Sequence, residues 1–231
     1  LLITGVAHPM VNSVVQTHLE KNGIEAKIQG LVDRFRKKRL PFMWYVWPNS
    51  SPSDLGGQLL EQGLSHSHDS PAMLANLAKL PDEVIQPDRL HIEQVRSEEM
   101  LADWRIPFEL GYQLPDEVND LFSSIYQHLG LTVDDSIQHF IAYLDDQPAA
   151  CATMYYGKDG VAGVWNIATI PEARGKGIGT AITWQGCVDA RQRGYEHAIL
   201  LSSEMGYSVY QKLGFKEKFS AEVYVWQPPA K

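Results

Sequence analysis

Residues 166–186, NIATIPEARGKGIGTAITWQG, place an arginine, a lysine and three alternating glycines between an apolar stretch and one of helical character. Gly175, Gly177 and Gly179 carry no side chain, so backbone N–H groups can crowd toward one point there. A helix starting at about residue 178 adds partial positive charge, and Arg174 and Lys176 add formal charge beside it. The guest this pattern suits is a phosphate or pyrophosphate. It is not a P-loop, which needs GxxxxGK followed by Ser or Thr; here the lysine precedes the second glycine, and Ile178 and Gly179 come before Thr180. Nor is it the dinucleotide fingerprint, in which GxGxxG follows a strand directly: IPEA intervenes, and position 180 is Thr.

The loop sits late in a chain that reads as alternating short elements. LLITGV predicts a strand, and Val11, Val14, Val15 and Leu19 fall at helical spacing up to an Asn22-Gly23 stop. Ile28, Leu31, Val32 and Phe35 predict a helix ending before Pro41, FMWYVW a strand, and DLGGQLLEQGL a short helix closed by Gly63. LPDEVIQPDRL, residues 80–90, carries two prolines and four charges and reads as a linker, which places a boundary near residue 85. Beyond it come the strand LHIEQV, a helix capped by Ser97, and a helix opened by Pro115 and ended by Gly130. Three strands follow (SIQHFIAYL, AACATMYY, VAGVWNIAT), then the glycine loop and its helix to Arg193. HAILLSS, YSVYQKLGF and SAEVYVW complete a strand, a helix and a strand. This β-α-α-β-β-β-α-β-α-β order is an α+β pattern around a mostly antiparallel sheet.

One stretch recurs. SSPSDLGGQLLEQGL, ending at Leu64, lies over SSEMGYSVYQKLGF, ending at Phe215, and a strand follows each. Leu59 stands where the second copy has Tyr210, and residues 10–40 hold no counterpart of the glycine loop.

Composition removes several classes of function. The chain has 231 residues, 44% hydrophobic, which is enough for a substantial core in one large or two small domains. A formal charge of −8 leaves no basic stripe for nucleic acid. Cys151 and Cys187 form no CxxC pair and have no histidine cluster at metal-ligand spacing, so they read as buried thiols in a reducing compartment. His66, His68 and Asp69 read as a polar edge strand, and no metal is expected. No apolar run approaches the roughly 20 residues of a membrane span, and no basic-then-apolar leader opens the chain. The expected compartment is the cytoplasm. The absence of an initiator methionine before LLITGV reads as a trimmed start.

The spacing Arg174-x-x-Gly177-x-Gly179, between a strand and a helix, resembles the signature of the GNAT superfamily of acyl-CoA-dependent N-acetyltransferases: Arg or Gln, two residues, Gly, one residue, then Gly or Ala. A second anchor, SSEMGYSVYQKLGF, is similar to the family's late helix, N-x-x-A-x-x-L-Y-x-K-L-G-F. The resemblance covers roughly residues 88–226. It implies a GNAT fold over residues 86–231, with a mixed, mostly antiparallel central sheet flanked by helices. The repeat then implies a smaller, degenerate GNAT-like α/β half over residues 1–85.

By position, the resemblance implies that the backbone of Ile167, Ala168 and Thr169 pairs with the pantetheine arm of acetyl-CoA. Arg174, Gly175, Lys176, Gly177, Ile178, Gly179 and Thr180 would cradle its pyrophosphate, and the strands bearing WNIAT and HAILL would splay apart to let the acyl group project between them. Ser203, Gly206, Tyr207 and Tyr210 would complete the cofactor site, with Tyr210 as general acid to the CoA thiolate. Ser203 and Gly206 depart from the family's usual Asn and Ala. The base that must take the acceptor's proton has no motif; the candidates are Glu109, then Asp103 and His139. Trp104, Tyr155, Trp165 and Asn166 are the expected acceptor wall, with Phe108, Tyr112 and Tyr156 adding aromatic character. The expected acceptor is a primary amine of a small molecule or peptide, and the reading leaves room for a homodimer. A second reading is a non-catalytic acyl-CoA-binding module that senses the cofactor or scaffolds a partner.

Overall fold

A computed structural model of the chain describes residues 1–19, 23–129 and 136–229. In chain order the elements are β1 (Leu2–Ile3), β2 (Asn12–Val14), α1 (Ile24–Lys38), β3 (Phe42–Val46), α2 (Leu55–Glu61) and β4 (Ser65–Asn76). They continue with β5 (Leu90–Gln94), α3 (Glu98–Tyr112), α4 (Asp116–Leu129), β6 (Ile137–Leu144), β7 (Gln147–Tyr156) and β8 (Val161–Thr169). The last four are α5 (Ile178–Gln192), β9 (His197–Leu201), α6 (Glu204–Lys212) and β10 (Lys216–Trp226). From β5 onward the order is the one expected. Among the described residues no helix is long and apolar enough to cross a membrane.

The expected helix over Val11–Leu19 is absent: a single 3-10 turn, Pro9–Val11, leads into β2. Asn12 is the reason. It is fully buried, its Nδ2 donates to the carbonyls of Val6, His8 and Pro41 at 2.7, 3.0 and 3.1 Å, and its Oδ1 accepts from the Thr4 amide at 3.1 Å. A side chain that satisfies four backbone groups fixes an extended segment whatever the local apolar spacing. Gly23, at φ +71°, opens α1 instead of closing a helix; Asn22 and the predicted helix end at Gly130 lie outside the described residues.

The chain forms two compact units, Leu1–Pro71 with Phe219–Lys231 and Ala72–Lys218. In the first, the strand order is β1-β2-β3-β10, with β2 parallel to β3. Ile28, Val32 and Phe35 of α1 and Leu55 and Leu59 of α2 pack on Phe42, Trp44, Tyr224 and Trp226, and Phe35 stacks on Phe42 at 4.0 Å. In the second, the order is β4-β9-β8-β7-β6-β5, antiparallel throughout except for β8 beside β9. This is the mixed, mostly antiparallel sheet expected.

The division falls inside β4 and β10, not at residue 85. Met73, Ala75, Leu77 and Leu80, all before that boundary, are buried in the core of the second unit, and Ala72–Asn76 pairs with β9. Conversely Glu222–Trp226, at the far end of the chain, pairs with β3. The two copies of the repeat therefore exchange their closing strands. In the second unit α5 lies on one face of the sheet, with Gly186 allowing Met154 close: a Cβ there would stand 2.8 Å from the sulfur. Trp104 and Phe108 of α3 cover Ile141, Cys151 and Ala168 in a separate cluster.

These pairings predict where the chain can be cut. A fragment of residues 72–218 keeps every strand of its sheet and should unfold cooperatively, as followed by circular dichroism. A fragment of residues 86–231 removes the partner of β9 and leaves β10 without β3; it should be recovered as aggregate or without a cooperative melt.

Candidate functional site

The site begins where two strands part. β8 and β9 pair in parallel at Val161–His197, Ala162–Ala198 and Gly163–Ile199, and go no further. From Val164 to Thr169 the β9-facing edge of β8 has no strand partner among the described residues. On its other edge β8 carries a bulge: Cys151 pairs with Ala168 and Thr153 with Trp165, so Asn166 and Ile167 stand opposite Ala152 alone. Asn166 takes the left-handed conformation, φ 52°, which asparagine tolerates better than most residues. The bulge reorganises its neighbours. The Ala152 carbonyl accepts the Trp104 indole N–H at 3.0 Å, and the Asn166 carbonyl accepts from Cys151 Sγ at 3.3 Å.

The glycine loop follows β8 through the turn Pro171–Ala173. Gly175 and Gly177 have φ +77° and +85°, a conformation costly for any side chain, and Gly177 forms the N-terminal cap of α5. The Arg174 amide donates to Pro171 and the next bonded amide is Ala181, which donates to Gly177. Gly175, Lys176, Gly177, Ile178, Gly179 and Thr180 lie between, and their N–H groups donate to no acceptor among the described residues. Consecutive unpaired amides at a helix origin are an anion-binding arrangement.

The two cations of the loop differ. Lys176 is exposed. Arg174 faces inward, its Nε donating to the Thr169 carbonyl at 3.1 Å and its Nη2 to the Gly111 carbonyl at 2.9 Å. It ties the loop to the end of β8 and the last turn of α3. Gly111 makes that approach feasible, because a Cβ there would fall 2.7 Å from the Ala168 Cβ. Arg174 thus braces the loop against β8 and α3, while Lys176 is the exposed cation beside the unpaired amides.

Tyr210 is buried on α6, 8% exposed, with its ring edge-on to Phe215 at 6.0 Å. Its hydroxyl has no hydrogen-bond partner among the described residues. Burial, with a smaller contribution from Cys187, pushes its pKa up to about 12. The ring folds back over Gly206: a Cβ at that position would meet Cε2 at 2.7 Å and Cζ at 3.2 Å. The departure from Ala at position 206 therefore sets the pose of the tyrosine. Ser203 caps α6, its Oγ accepting the Gly206 amide at 3.2 Å and keeping its own proton to donate. Tyr207 donates to Glu217 at 2.9 Å and is engaged outside the site.

Each of the candidate bases has a partner. Glu109 is held by Arg105, Nη2 to Oε1 at 2.8 Å, and Asp103 accepts the Tyr143 hydroxyl at 2.8 Å. His139 is buried, 7% exposed, with Nδ1 and Thr153 Oγ1 at 2.8 Å; burial lowers its pKa to about 4. Moving a proton onto it from an alkylammonium near pKa 10 is uphill by about six units, roughly 8 kcal/mol. With Thr153 it closes a chain in which Asn166 Nδ2 donates to Thr153 Oγ1 at 3.3 Å and to the Tyr126 hydroxyl, so the bulge side chain is held on both sides. Burial, opposed by the Asn166 bond, raises the Tyr126 pKa to about 12.

The expected acceptor wall divides. Trp104 is 1% exposed, stacked on Phe108 at 5.1 Å, and belongs to the core that supports the bulge. Phe108 is buried with it, and Tyr156 is buried and bonds to Asp189. Tyr155 and Trp165 are 48% and 49% exposed on the open face of the sheet. Sequence reasoning did not single out Gly111, Tyr126, Thr153 or Gly163; the mid-strand glycine at 163 and the mid-helix glycine at 111 were the available signals. Among the described residues no cluster of three metal-ligating side chains exists, and His66 pairs with Asp69 at 2.9 Å.

The acetyltransferase (GNAT) family model matches residues 98–215. A GCN5-related N-acetyltransferase from Sphaerobacter thermophilus is similar at 15% identity with TM-score 0.73, covering 92% of this chain and 70% of that one. One from Kribbella flavida is similar at 18% identity and TM-score 0.64, over 89% and 77%. A tandem GNAT protein from the clavulanic acid biosynthesis pathway is similar at 15% identity and TM-score 0.64, over 92% and 72%. A sequence search of curated proteins gives no match.

His139 makes stability depend on acid. Its folded pKa of about 4 lies below the ordinary 6.5, so the unfolded chain binds the proton first. The stability it contributes is complete above pH 6.5 and is lost as pH falls toward 4, by about 2–3 kcal/mol. Unfolding free energies from urea titrations at pH 7 and 4.5 should differ by that much more in the native protein than in His139→Gln.

Proposed function

The chain belongs to the acetyltransferase (GNAT) family, and from that premise we propose that it transfers the acetyl group of acetyl-CoA to a primary amine of a small molecule or peptide. The observation that carries this reading is the run of unpaired amides from Gly175 to Thr180, set at the end of a strand whose facing edge is also unpaired. A diphosphate matches the amides, and an amide-bearing arm matches the free edge of β8 around Ile167. When bound, acetyl-CoA supplies an acyl carbon activated as a thioester and leaves as a thiolate.

The protein's own groups have three tasks. The loop and Lys176 hold the diphosphate, and Arg174 keeps the loop in register with β8. The bulged backbone at Asn166–Ile167 offers N–H groups to a carbonyl oxygen that gains charge. Tyr210 presents a proton to the sulfur. With a phenol near 12 and a thiol near 8.5, complete transfer is uphill by about 3.5 units, roughly 5 kcal/mol, so Tyr210 acts by donating a hydrogen bond and stays protonated. This revises the general-acid role. Because Glu109 is committed to Arg105, the acceptor enters as the neutral amine, its ammonium proton already lost to water. The C–N bond forms as the C–S bond breaks, and the second proton shed by the nitrogen passes to the departing thiolate, which leaves as the CoA thiol. The first unit has Leu59, fully buried, in the place of Tyr210, and we assign it no chemistry.

Two measurements test this. Tyr210→Phe should lower kcat by about 10²-fold with the Kd for CoA unchanged, and the native rate should show no break assignable to tyrosine below pH 11. Full rate in the variant would remove Tyr210 from the mechanism. Gly177→Asp, which puts a strained, negative side chain into the cradle, should weaken CoA at least tenfold by calorimetry; unchanged affinity in a folded variant overturns the cofactor site. CoA binding without release of thiol on any amine would favour a sensor.

A further inference from the structure

One row of residues crosses the open face of the second unit's sheet. Leu74 of β4 pairs with Ile199 of β9, Ile199 with Gly163 of β8, Gly163 with Tyr155 of β7, and Tyr155 with Ile137 of β6. Side chains alternate along a strand, so this row faces the same way as Cys151 and Thr153, the face that α3 covers. The cover does not reach it: Ile199 is 43% exposed and Tyr155 48%.

Gly163 leaves a gap in the row, and Trp165 fills it. A Cβ at 163 would lie 2.5 Å from the Trp165 Nε1 and 3.3 Å from its Cδ1, so the N–H edge of the indole occupies the space over the glycine. Trp165 is nevertheless 49% exposed. The half-exposed indole, standing with its N–H edge over Gly163 and with Tyr155 and Ile199 at the flanking positions, leaves aromatic surface open on this face, and none of these residues is charged. Its position ties it to the site. Trp165 immediately precedes Asn166, the bulge residue from which the free edge of β8 runs toward the amide cradle.

We propose that the acceptor is an amine carried on a flat, apolar body, an arylalkylamine by chemical class, and that this body stacks on Trp165 over Gly163 between Tyr155 and Ile199. The inference rests on the acetyl-transfer reading and names the acceptor that reading leaves open. Trp165 and Ile199 are specificity residues, and Gly163 is a positioning residue that acts through the indole. An aliphatic amine of similar length reaches the same bulge but covers less of that aromatic surface.

The test compares 2-phenylethylamine with n-butylamine, at equal concentrations of the neutral amine, with acetyl-CoA and the full chain. The native protein should favour the aromatic amine about tenfold in kcat/KM, consistent with stacking and added apolar burial. Trp165→Ala should bring the ratio to within about twofold of unity by raising KM for the aromatic amine, and Trp165→Phe should restore part of it. Gly163→Ala, which displaces the indole without removing it, should lower the ratio as well. Calorimetric binding of each amine in the presence of CoA, with no turnover required, separates the two readings. Acetylation of both amines with equal efficiency overturns the aromatic site and leaves acetyl transfer standing. Tryptophan-dependent binding of the aromatic amine without acetylation of either supports the aromatic site and sinks the transfer reading.

Discussion

The separation of β8 from β9 beyond Gly163 is the constraint on which the second unit is organised. A parallel pair that stops after three residues leaves a strand edge with unmet donors and acceptors, and exposed edges are normally covered or blunted. Here the surroundings maintain the gap. The bulge at Asn166 bends β8, and Thr153 and Tyr126 hold its side chain. Trp104 takes up the Ala152 carbonyl opposite the bulge, and Arg174 takes the Thr169 carbonyl at the far end. What remains unmet is a short edge and a set of amides, which lie where a ligand with complementary acceptors can meet them.

Burial divides the polar groups around this gap into those that can exchange protons and those that cannot. Tyr210 and Tyr126 are pushed toward 12 and His139 toward 4, so all three keep a neutral form across the physiological range. Their contribution is directional: fixed dipoles cost little to reorient when charge develops, whereas water would have to rearrange. Of the carboxylates of α3, Glu109 is paired with Arg105 and Asp103 accepts the Tyr143 hydroxyl. An acceptor that arrives already deprotonated suits such a site.

Much of this was legible in the chain. The glycine loop, the Ser97 cap and the run of three strands each rest on local rules of turn and cap chemistry, and they stand where those rules put them. The errors arose where a distant partner overrode a local pattern. The valines at 11, 14 and 15 have helical spacing, but Asn12 reaches residues as far away as Pro41 and straightens the segment. Trp104 looked like a wall residue because its indole partner, the Ala152 carbonyl, is freed only by a bulge on another strand. The linker near residue 85 was read from two prolines, yet neither β4 nor β10 announces in its own residues which strand it will join. Aromatic composition could not separate Trp165 from Trp104; the glycine two positions before Trp165 is what distinguishes them.

The exchange of closing strands reaches beyond the final architecture. Phe42 meets Trp226, so β3 has no neighbour on that side until β10 has been synthesised. Contacts this distant in sequence are slow to form, and the waiting edge is one to which another nascent chain could add. The time for which that edge of β3 waits is therefore set by how fast the residues between β3 and β10 are made.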